Sequence, residues 1–268
     1  GDAGSGRLAS TTVRRIYQDK MGDMWIGTYP SGTYLYDRST AAIRVFKKSP
    51  DLTRGLRDNN VEALIEDNEG TLWIGSAGIA TFNPETEHFS HYIHDNTPTS
   101  ALPTSSILSG FKDASGDLWF TTWGNGVLGY DRKTDSFYSL PSDPDIAKGA
   151  ARKGDKLNDL MVWGITQGAD NTYWLSTHFN GLTHYDPSTG EFRYYPRIEG
   201  DTSSLSAPVA WVTLEDSKQR VWTGTAYGLN LLDRATGTFT QYLPEANNPN
   251  SLSNGSILAL FEDAEKRL

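Results

Sequence analysis

The chain has 268 residues, no cysteine and a formal net charge of −9 at pH 7. Without cysteine it cannot form disulfides, thiolate metal sites or a cysteine nucleophile. Its acidic balance argues against a nucleic-acid partner or direct contact with an anionic membrane, both of which require clustered positive charge, and no apolar run approaches the roughly 20 residues of a membrane span.

A tryptophan recurs along the chain at intervals of 46 to 55 residues, and its surroundings keep register. A leucine lies seventeen positions before it, a small or β-branched residue twelve before, and an aspartate six before in four of five copies. A glycine, an aromatic or leucine followed by Asp or Asn, and a final aromatic come after it. This agreement over five copies indicates tandem repeats. The tryptophans are Trp25, Trp73, Trp119, Trp174 and Trp222.

Each repeat predicts four short strands, taken here in chain order from the first copy. Strand a begins at Val13, strand b holds Trp25, strand c ends at Tyr36, and strand d ends at Phe46. Turns of the form Asp-x-x-Gly and Asp-x-x-Thr separate a from b and c from d. A four-stranded repeat of about 40–50 residues is the blade of a β-propeller, so we predict an all-β fold of four-stranded antiparallel blades.

The repeat count predicts one propeller domain over residues 1–268. Leu252, Ile257 and Asp263 fall in register for a sixth copy, so we expect this chain to be a piece of a longer propeller. An insertion over 141–157 predicts a long connection with room for a helical turn. The predicted repeats span about 8–55, 56–101, 102–156, 157–204 and 205–251, with the first strand of a sixth in 252–268.

The shared side chains are interpreted as structural. A large aromatic at a fixed strand position is typical of packing between blades, and the repeated aspartate is typical of turns. The regularly spaced His88, His91 and His94 fall around a predicted strand, where residues three apart point to opposite faces. No catalytic residue, metal or cofactor is therefore predicted.

Function is expected where the repeats differ, because loops on a shared scaffold usually hold the binding groups. The b–c loops place an aromatic on one rim in four of five repeats, with asparagines beside it, a combination that suits stacking on a sugar and bonding its hydroxyls. The alternative is that these aromatics only pack between neighbouring loops. The candidate ligand-binding residues are Tyr29, Trp123, Asn125, His178, Phe179, Asn180 and Tyr227 in the b–c loops, Trp163 and Trp211 on strand a, and Arg57 in a d–a connection.

The repeated phrase V-x-x-[IL]-x-x-D-x-x-G-x-L-W-I-G-T…G-[LV]-x-x-Y-D-x-x-T-x-x-F resembles the two-component regulator propeller repeat over residues 8–268. The resemblance implies a periplasmic or otherwise extracytoplasmic sensor module of a bacterial signal-transduction protein. It also implies that a kinase or cyclase output lies outside this segment. The first six residues lack the basic-then-apolar pattern of a secretory signal.

These observations favour a non-catalytic sensor that binds a small molecule or oligosaccharide. The ligand would bridge several blades and shift an equilibrium between arrangements of a homodimer of the parent protein, by its differential affinity for the two states. Two alternatives stay open. One is a propeller lyase or hydrolase, although no predicted strand a contains the histidine that such an enzyme would need; the other is a protein-interaction scaffold with an aromatic rim.

Overall fold

The computed structural model describes residues 12–95, 101–142 and 152–268. Within these ranges the chain forms 21 β-strands and no helix, and hence no helix that could cross a membrane. The strands make five sheets, four of them with four strands and one with five. The described residues divide into two compact units, one within 12–122 and 128–138 and the other within 123–127, 139–142 and 152–268.

The sheets follow the repeats in order. The first contains β1 (Thr12–Gln18), β2 (Met24–Tyr29), β3 (Thr33–Tyr36) and β4 (Ile43–Phe46); the second β5 (Ala63–Glu66), β6 (Leu72–Ser76), β7 (Gly78–Asn83) and β8 (His88–Tyr92). The third contains β9 (Ile107–Lys112), β10 (Leu118–Thr122), β11 (Val127–Asp131) and β12 (Ser136–Ser139). The fourth contains β13 (Arg152–Gly154), β14 (Val162–Gln167), β15 (Tyr173–Thr177), β16 (Leu182–Asp186) and β17 (Glu191–Tyr195), and the fifth β18 (Ala210–Glu215), β19 (Val221–Thr225), β20 (Gly228–Asp233) and β21 (Thr238–Tyr242).

Every repeat has the same strand order. Strands a, b, c and d are sequential neighbours in each sheet, joined by tight turns. Where the second strand of a repeat meets the third, as for Trp25 opposite Leu35, the pairing is antiparallel. Tandem four-stranded sheets of this kind are the blades of a β-propeller, so the predicted fold class is confirmed.

The repeated tryptophan packs against the following sheet. Trp25 lies in one buried cluster with Leu64, Leu72 and Phe82 of the second sheet. Trp73 packs in the same way on the third sheet, with its ring centroid 4.6 Å from that of Tyr130. The interpretation of this residue as a packing element between blades is confirmed in these pairs of sheets.

The repeated aspartate has a second role that turn propensity does not predict. One carboxylate oxygen accepts backbone N–H groups of its own turn, as in Asp67 with Thr71 at 3.0 Å. The other oxygen accepts the indole N–H of the tryptophan six positions later, at 2.9 to 3.0 Å in each case. The four pairs are Asp19 with Trp25, Asp67 with Trp73, Asp113 with Trp119, and Asp216 with Trp222. The aspartate thus satisfies a buried donor that would otherwise be stranded.

The fourth repeat has Gly168 at this position, so its tryptophan needs a different hydrogen-bond acceptor. Its tryptophan, Trp174, donates to Glu215, which comes from the first strand of the next repeat, at 3.3 Å. Arg234 pairs with the same glutamate and lies over the Trp174 ring at 5.3 Å. A carboxylate of the neighbouring repeat therefore replaces the missing aspartate.

A further carboxylate joins successive repeats. A glutamate seven positions before the tryptophan register accepts a backbone N–H from the a–b turn of the preceding repeat. The pairs are Glu66 with Lys20 at 2.8 Å, Glu215 with Ala169 at 2.9 Å, and Glu262 with Ser217 at 2.8 Å. Because each bond crosses from one repeat to the next, it fixes the spacing between them.

The insertion and the sixth repeat differ from the predictions. Part of the insertion, β13, adds a fifth strand beside β17, while 143–151 lies outside the described residues. No strand is assigned in 252–268, because no described strand pairs with it. The segment nevertheless keeps the repeat register: Ile257 donates its N–H to Thr225 at 3.0 Å, and Asp263 accepts the N–H of Arg267 at 2.9 Å.

The aspartate–indole bond predicts acid sensitivity. Burial alone would raise the pKa of Asp216, but hydrogen bonds from Trp222 and from Arg220 outweigh it and hold the pKa at about 2. A depressed pKa stabilises the fold above the unfolded-state value near 3.8, and this contribution is lost as pH falls toward 2. We expect urea unfolding to show an advantage of the wild type over Asp216→Asn that is constant above about pH 5 and shrinks below pH 4. An advantage that does not change between pH 7 and pH 2.5 would contradict the assignment.

Candidate functional site

A β-bulge lies near the start of the first strand in several sheets, and it aims one side chain out of the pairing. The register skips Arg14 between Val13 and Arg15 in the first sheet. The skipped residues are Trp163 in the fourth sheet and Trp211 in the fifth. A bulge bends the strand and leaves the extra residue out of the strand pairing. The side chains at these positions can therefore make contacts that residues in the regular sheet cannot.

Five rings of the second unit form a continuous aromatic cluster. They come from three successive repeats: the b–c loop of the third, the bulge and b–c loop of the fourth, and the bulge of the fifth. Each ring centroid lies 4.5 to 5.5 Å from that of its nearest neighbour in the cluster. We name this the aromatic cluster; its members are Trp123, Trp163, His178, Phe179 and Trp211. The structure therefore brings together five of the ten predicted ligand residues.

A hydrogen bond orders the centre of the cluster. The indole Nε1–H of Trp163 donates to Nδ1 of His178 at 3.1 Å. The Trp123 ring lies edge-on to Trp163 at 5.5 Å, and the Trp211 ring also lies edge-on to Trp163, at 4.9 Å. The rings consequently hold one another in a defined arrangement instead of projecting independently.

Two polar residues before the bulge position the loop that contains His178 and Phe179. The buried carboxylate of Asp159 accepts the backbone N–H groups of Phe179 at 2.7 Å and of Asn180 at 3.2 Å. The carbonyl of Asn158 accepts the side-chain amide of Asn180 at 2.5 Å. Asn180, predicted to contact ligand, is buried and uses its amide within this network.

The outer members of the cluster are open to solvent. Trp123 is 42% exposed and Phe179 is 54% exposed. The Nε1 atom of Trp211, whose ring packs on Trp163, is buried and has no hydrogen-bond partner among the described residues. The cluster thus offers two exposed apolar rings to a ligand and contains one buried donor without a described acceptor.

The remaining predicted residues lie apart from this cluster. Tyr227 is exposed with its ring over Gly255, and makes no ring contact among the described residues. Asn125 lies in the b–c loop of Trp123 and is partly buried. In the first unit, Tyr29 is exposed and lies under the guanidinium of Arg14 at 5.7 Å, whereas Arg57 is exposed and forms no hydrogen bond or ion pair with described residues.

The sequence patterns did not predict the β-bulges that place Trp163 and Trp211 in the cluster. The positions eleven before each tryptophan nevertheless hold side chains as different as arginine, glutamate, leucine and tryptophan. In the first unit the corresponding residues Arg14 and Glu62 form an ion pair at 3.4 Å. Variation at one register position within an otherwise constant repeat was the available indication.

The repeated sheets and the loop-borne aromatic cluster define a β-propeller that carries its variable groups on the loops and inner strands. Two stretches, residues 7–29 and 55–78, match the sequence model of the two component regulator propeller. The two stretches lie in the first and second repeats, where the repeated phrase predicted this resemblance.

Similarity to known proteins extends over most of the chain. It is 28% identical over 232 residues to Histidine kinase P4 of Formosa agariphila, which is 84% of this chain and 12% of that protein. A structure described as the extracellular domain of a hybrid two component system, BT3049 of B. thetaiotaomicron, superposes with a TM-score of 0.73 at 19% identity and covers 97% of this chain and 33% of that chain. Virginiamycin B lyase of Staphylococcus aureus superposes with a TM-score of 0.61 at 13% identity, covering 90% of this chain and 73% of the lyase. The two structural likenesses show the propeller fold.

Proposed function

We propose that this chain is a non-catalytic, extracytoplasmic sensing module of a bacterial signal-transduction protein and that its ligand binds on the aromatic cluster. The resemblance to a histidine kinase and to an extracellular two component domain supports the sensor assignment. The chain spans about an eighth of that kinase, so the output activity would belong to other parts of the whole protein.

The exposed face of the aromatic cluster is the observation on which this proposal depends. Aromatic rings that served packing alone would be covered by their neighbours. Trp123 and Phe179 remain about half exposed even though Trp163 and His178 hold them in place. Rigid, half-exposed rings bind the C–H faces of a sugar with little loss of side-chain entropy, so an oligosaccharide is the proposed ligand class.

The composition of the cluster also provides a means of signalling. Its residues come from three successive repeats, so a ligand that spans the cluster contacts all three. Binding would favour the relative placement of those repeats that fits the ligand, and the shift would be limited by the differential affinity for the two placements. The parent protein, as a homodimer, would transmit that shift.

Isothermal titration calorimetry with cellohexaose, maltohexaose, laminarihexaose, xylohexaose and mannohexaose tests the proposal. We expect at least one of these glycans to bind the wild type and Trp123→Ala to weaken that binding by about tenfold, since stacking on an indole contributes about 0.5–1.5 kcal/mol in addition to the apolar surface that it buries, and 1.4 kcal/mol corresponds to tenfold. Tyr138→Ala is the matched control, because Tyr138 is a similarly exposed aromatic (48%) on an outer strand.

Three results would argue against this function. Loss of affinity by the same factor in Tyr138→Ala would show that the effect is not local to the cluster. Absence of binding to every glycan, together with capture of a protein partner by the same rim, would favour the scaffold alternative. Turnover of a glycan that depends on added metal and stops on chelation would favour the lyase.

A further inference from the structure

The side chains of the aromatic cluster offer hydrogen-bond donors and no free acceptor. An indole nitrogen can only donate, and phenylalanine has no polar side-chain atom. The single acceptor, Nδ1 of His178, is occupied by the Trp163 N–H at 3.1 Å. The side chains of the cluster can therefore donate hydrogen bonds to a ligand but cannot accept them.

This hydrogen bond also fixes the tautomer of the histidine. A neutral imidazole whose Nδ1 accepts must have its proton on Nε2. Among the described residues Nε2 of His178 has no hydrogen-bond partner, so its N–H is available to a ligand. Because His178 lies between Trp123 and Phe179, with ring centroids at 5.4 and 4.5 Å, the donor sits directly beside the exposed ring faces.

Trp211 contributes a second donor. Its Nε1 is buried and has no acceptor within residues 12–95, 101–142 and 152–268, and its ring centroid lies 6.2 Å from that of His178. Leaving a buried donor without an acceptor destabilises a fold by about 1–3 kcal/mol, so such groups are rare and call for an explanation. Because Nε1 of Trp211 is closed to solvent, a ligand could reach it only if the covering side chains moved, so Nε2 of His178 is the donor available to a ligand in this arrangement.

We propose that the aromatic cluster selects a non-cationic ligand with a hydrogen-bond acceptor beside an apolar face. In this arrangement His178 is the specificity-determining donor, through Nε2–H, and Trp163 is the positioning residue that holds its tautomer. The proposal rests on the proposed function of the same site and adds the chemistry that the site recognises. An ammonium group would meet favourable ring faces, but its N–H donors would face the Nε2–H donor of His178.

The tautomer is tested on the protein without any ligand. Nitrogen-15 spectra of the histidine rings, with the His178 signals assigned by their loss in His178→Gln, should show an unprotonated Nδ1 and a protonated Nε2 at pH 8. In Trp163→Phe, which keeps an aromatic ring but removes the N–H, the two tautomers should mix. A protonated Nδ1 in the wild type, or a tautomer unaffected by Trp163→Phe, would overturn the proposal.

Ligand preference is tested with two small probes of similar size, followed by chemical shifts of the His178 ring and the Trp123 indole. N,N-dimethylbenzamide has an acceptor and no N–H donor, whereas benzylammonium has only donors and a positive charge. We expect the amide to bind the wild type at least fivefold more tightly, although the net charge of −9 favours the cation non-specifically. His178→Phe should remove this preference, and Tyr138→Ala should retain it.

The outcomes separate this proposal from the proposed function. Tighter binding of benzylammonium, or an amide preference that survives His178→Phe, would overturn the donor assignment even if a glycan binds. Conversely, a preference for the amide that disappears in His178→Phe would support the donor assignment even if none of the hexasaccharides binds.

Discussion

Replacing Trp73 with alanine is expected to lower the free energy of unfolding by about 3–5 kcal/mol, the usual loss for a large buried aromatic. Trp73 is 3% exposed, its ring stacks on Tyr92 at 5.6 Å, and its N–H donates to Asp67 at 2.9 Å. The substitution would open a cavity against the third sheet and leave a buried carboxylate without its indole partner. Urea unfolding followed by circular dichroism measures the effect.

Trp123→Ala is the matched control for this prediction. It removes the same side chain from a position outside the constant tryptophan register, where the ring is substantially exposed. We expect it to cost less than about 1 kcal/mol, because the removed surface is partly solvated already. Equal losses for the two substitutions would mean that the repeated tryptophan is not the main packing element between sheets.

The second large effect is expected at Glu215. Its buried carboxylate accepts the indole N–H of Trp174 and the backbone N–H of Ala169, and it pairs with Arg234. Glu215→Ala removes all three interactions and leaves a charged and two neutral donors without their acceptor, so we expect a loss of about 3 kcal/mol or more. Urea unfolding again provides the measurement.

A compensating change at Gly168 tests the reason for that loss. The backbone of Gly168 makes the same turn hydrogen bonds as the backbone of the aspartates in the other repeats, and its N–H donates to the carbonyl of Thr172 at 2.8 Å. A Cβ there would lie 2.8 Å from the carboxylates of both Glu215 and Asp170, so Gly168→Asp alone should destabilise the protein by contact and like charge.

Combined with Glu215→Ala, the same aspartate should regain stability by accepting the Trp174 indole within its own repeat. The interaction energy of the double-mutant cycle should therefore be favourable by at least about 1 kcal/mol. Simple additivity of the two losses would contradict the replacement of one carboxylate by the other.

The sequence contains enough to predict the fold but only part of its bonding. A constant spacing of tryptophan, aspartate and glycine predicts four strands and their turns, because each feature is local to a repeat. The acceptor of Trp174 could not be predicted in this way, since Glu215 lies 41 residues away and belongs to a strand pattern of its own. The strand Arg152–Gly154 was also missed, because its three residues lie in an insertion without periodic pattern.

The candidate site shows a similar limit. Variation among the b–c loops identified Trp123, His178 and Phe179, and the bulge tryptophans followed from their place on strand a. Which of these rings meet depends on the bulges, and a bulge shifts a side chain without leaving a distinctive residue at its position. The burial of Asn180 could not be predicted for the same reason, because its hydrogen bonds with Asn158 and Asp159 depend on tertiary structure.

The glutamate bonds between adjacent repeats have a thermodynamic consequence. Since Glu66, Glu215 and Glu262 each tie a repeat to the one before it, part of the stability resides in junctions rather than within single repeats. When repeats contact mainly their sequence neighbours, cooperativity depends on the coupling between adjacent repeats. A substitution that removes one of these bonds should therefore lower amide-exchange protection first in the two repeats that flank it. A side chain of a neighbouring repeat can also replace a missing one, as Glu215 does where Gly168 stands in place of the aspartate.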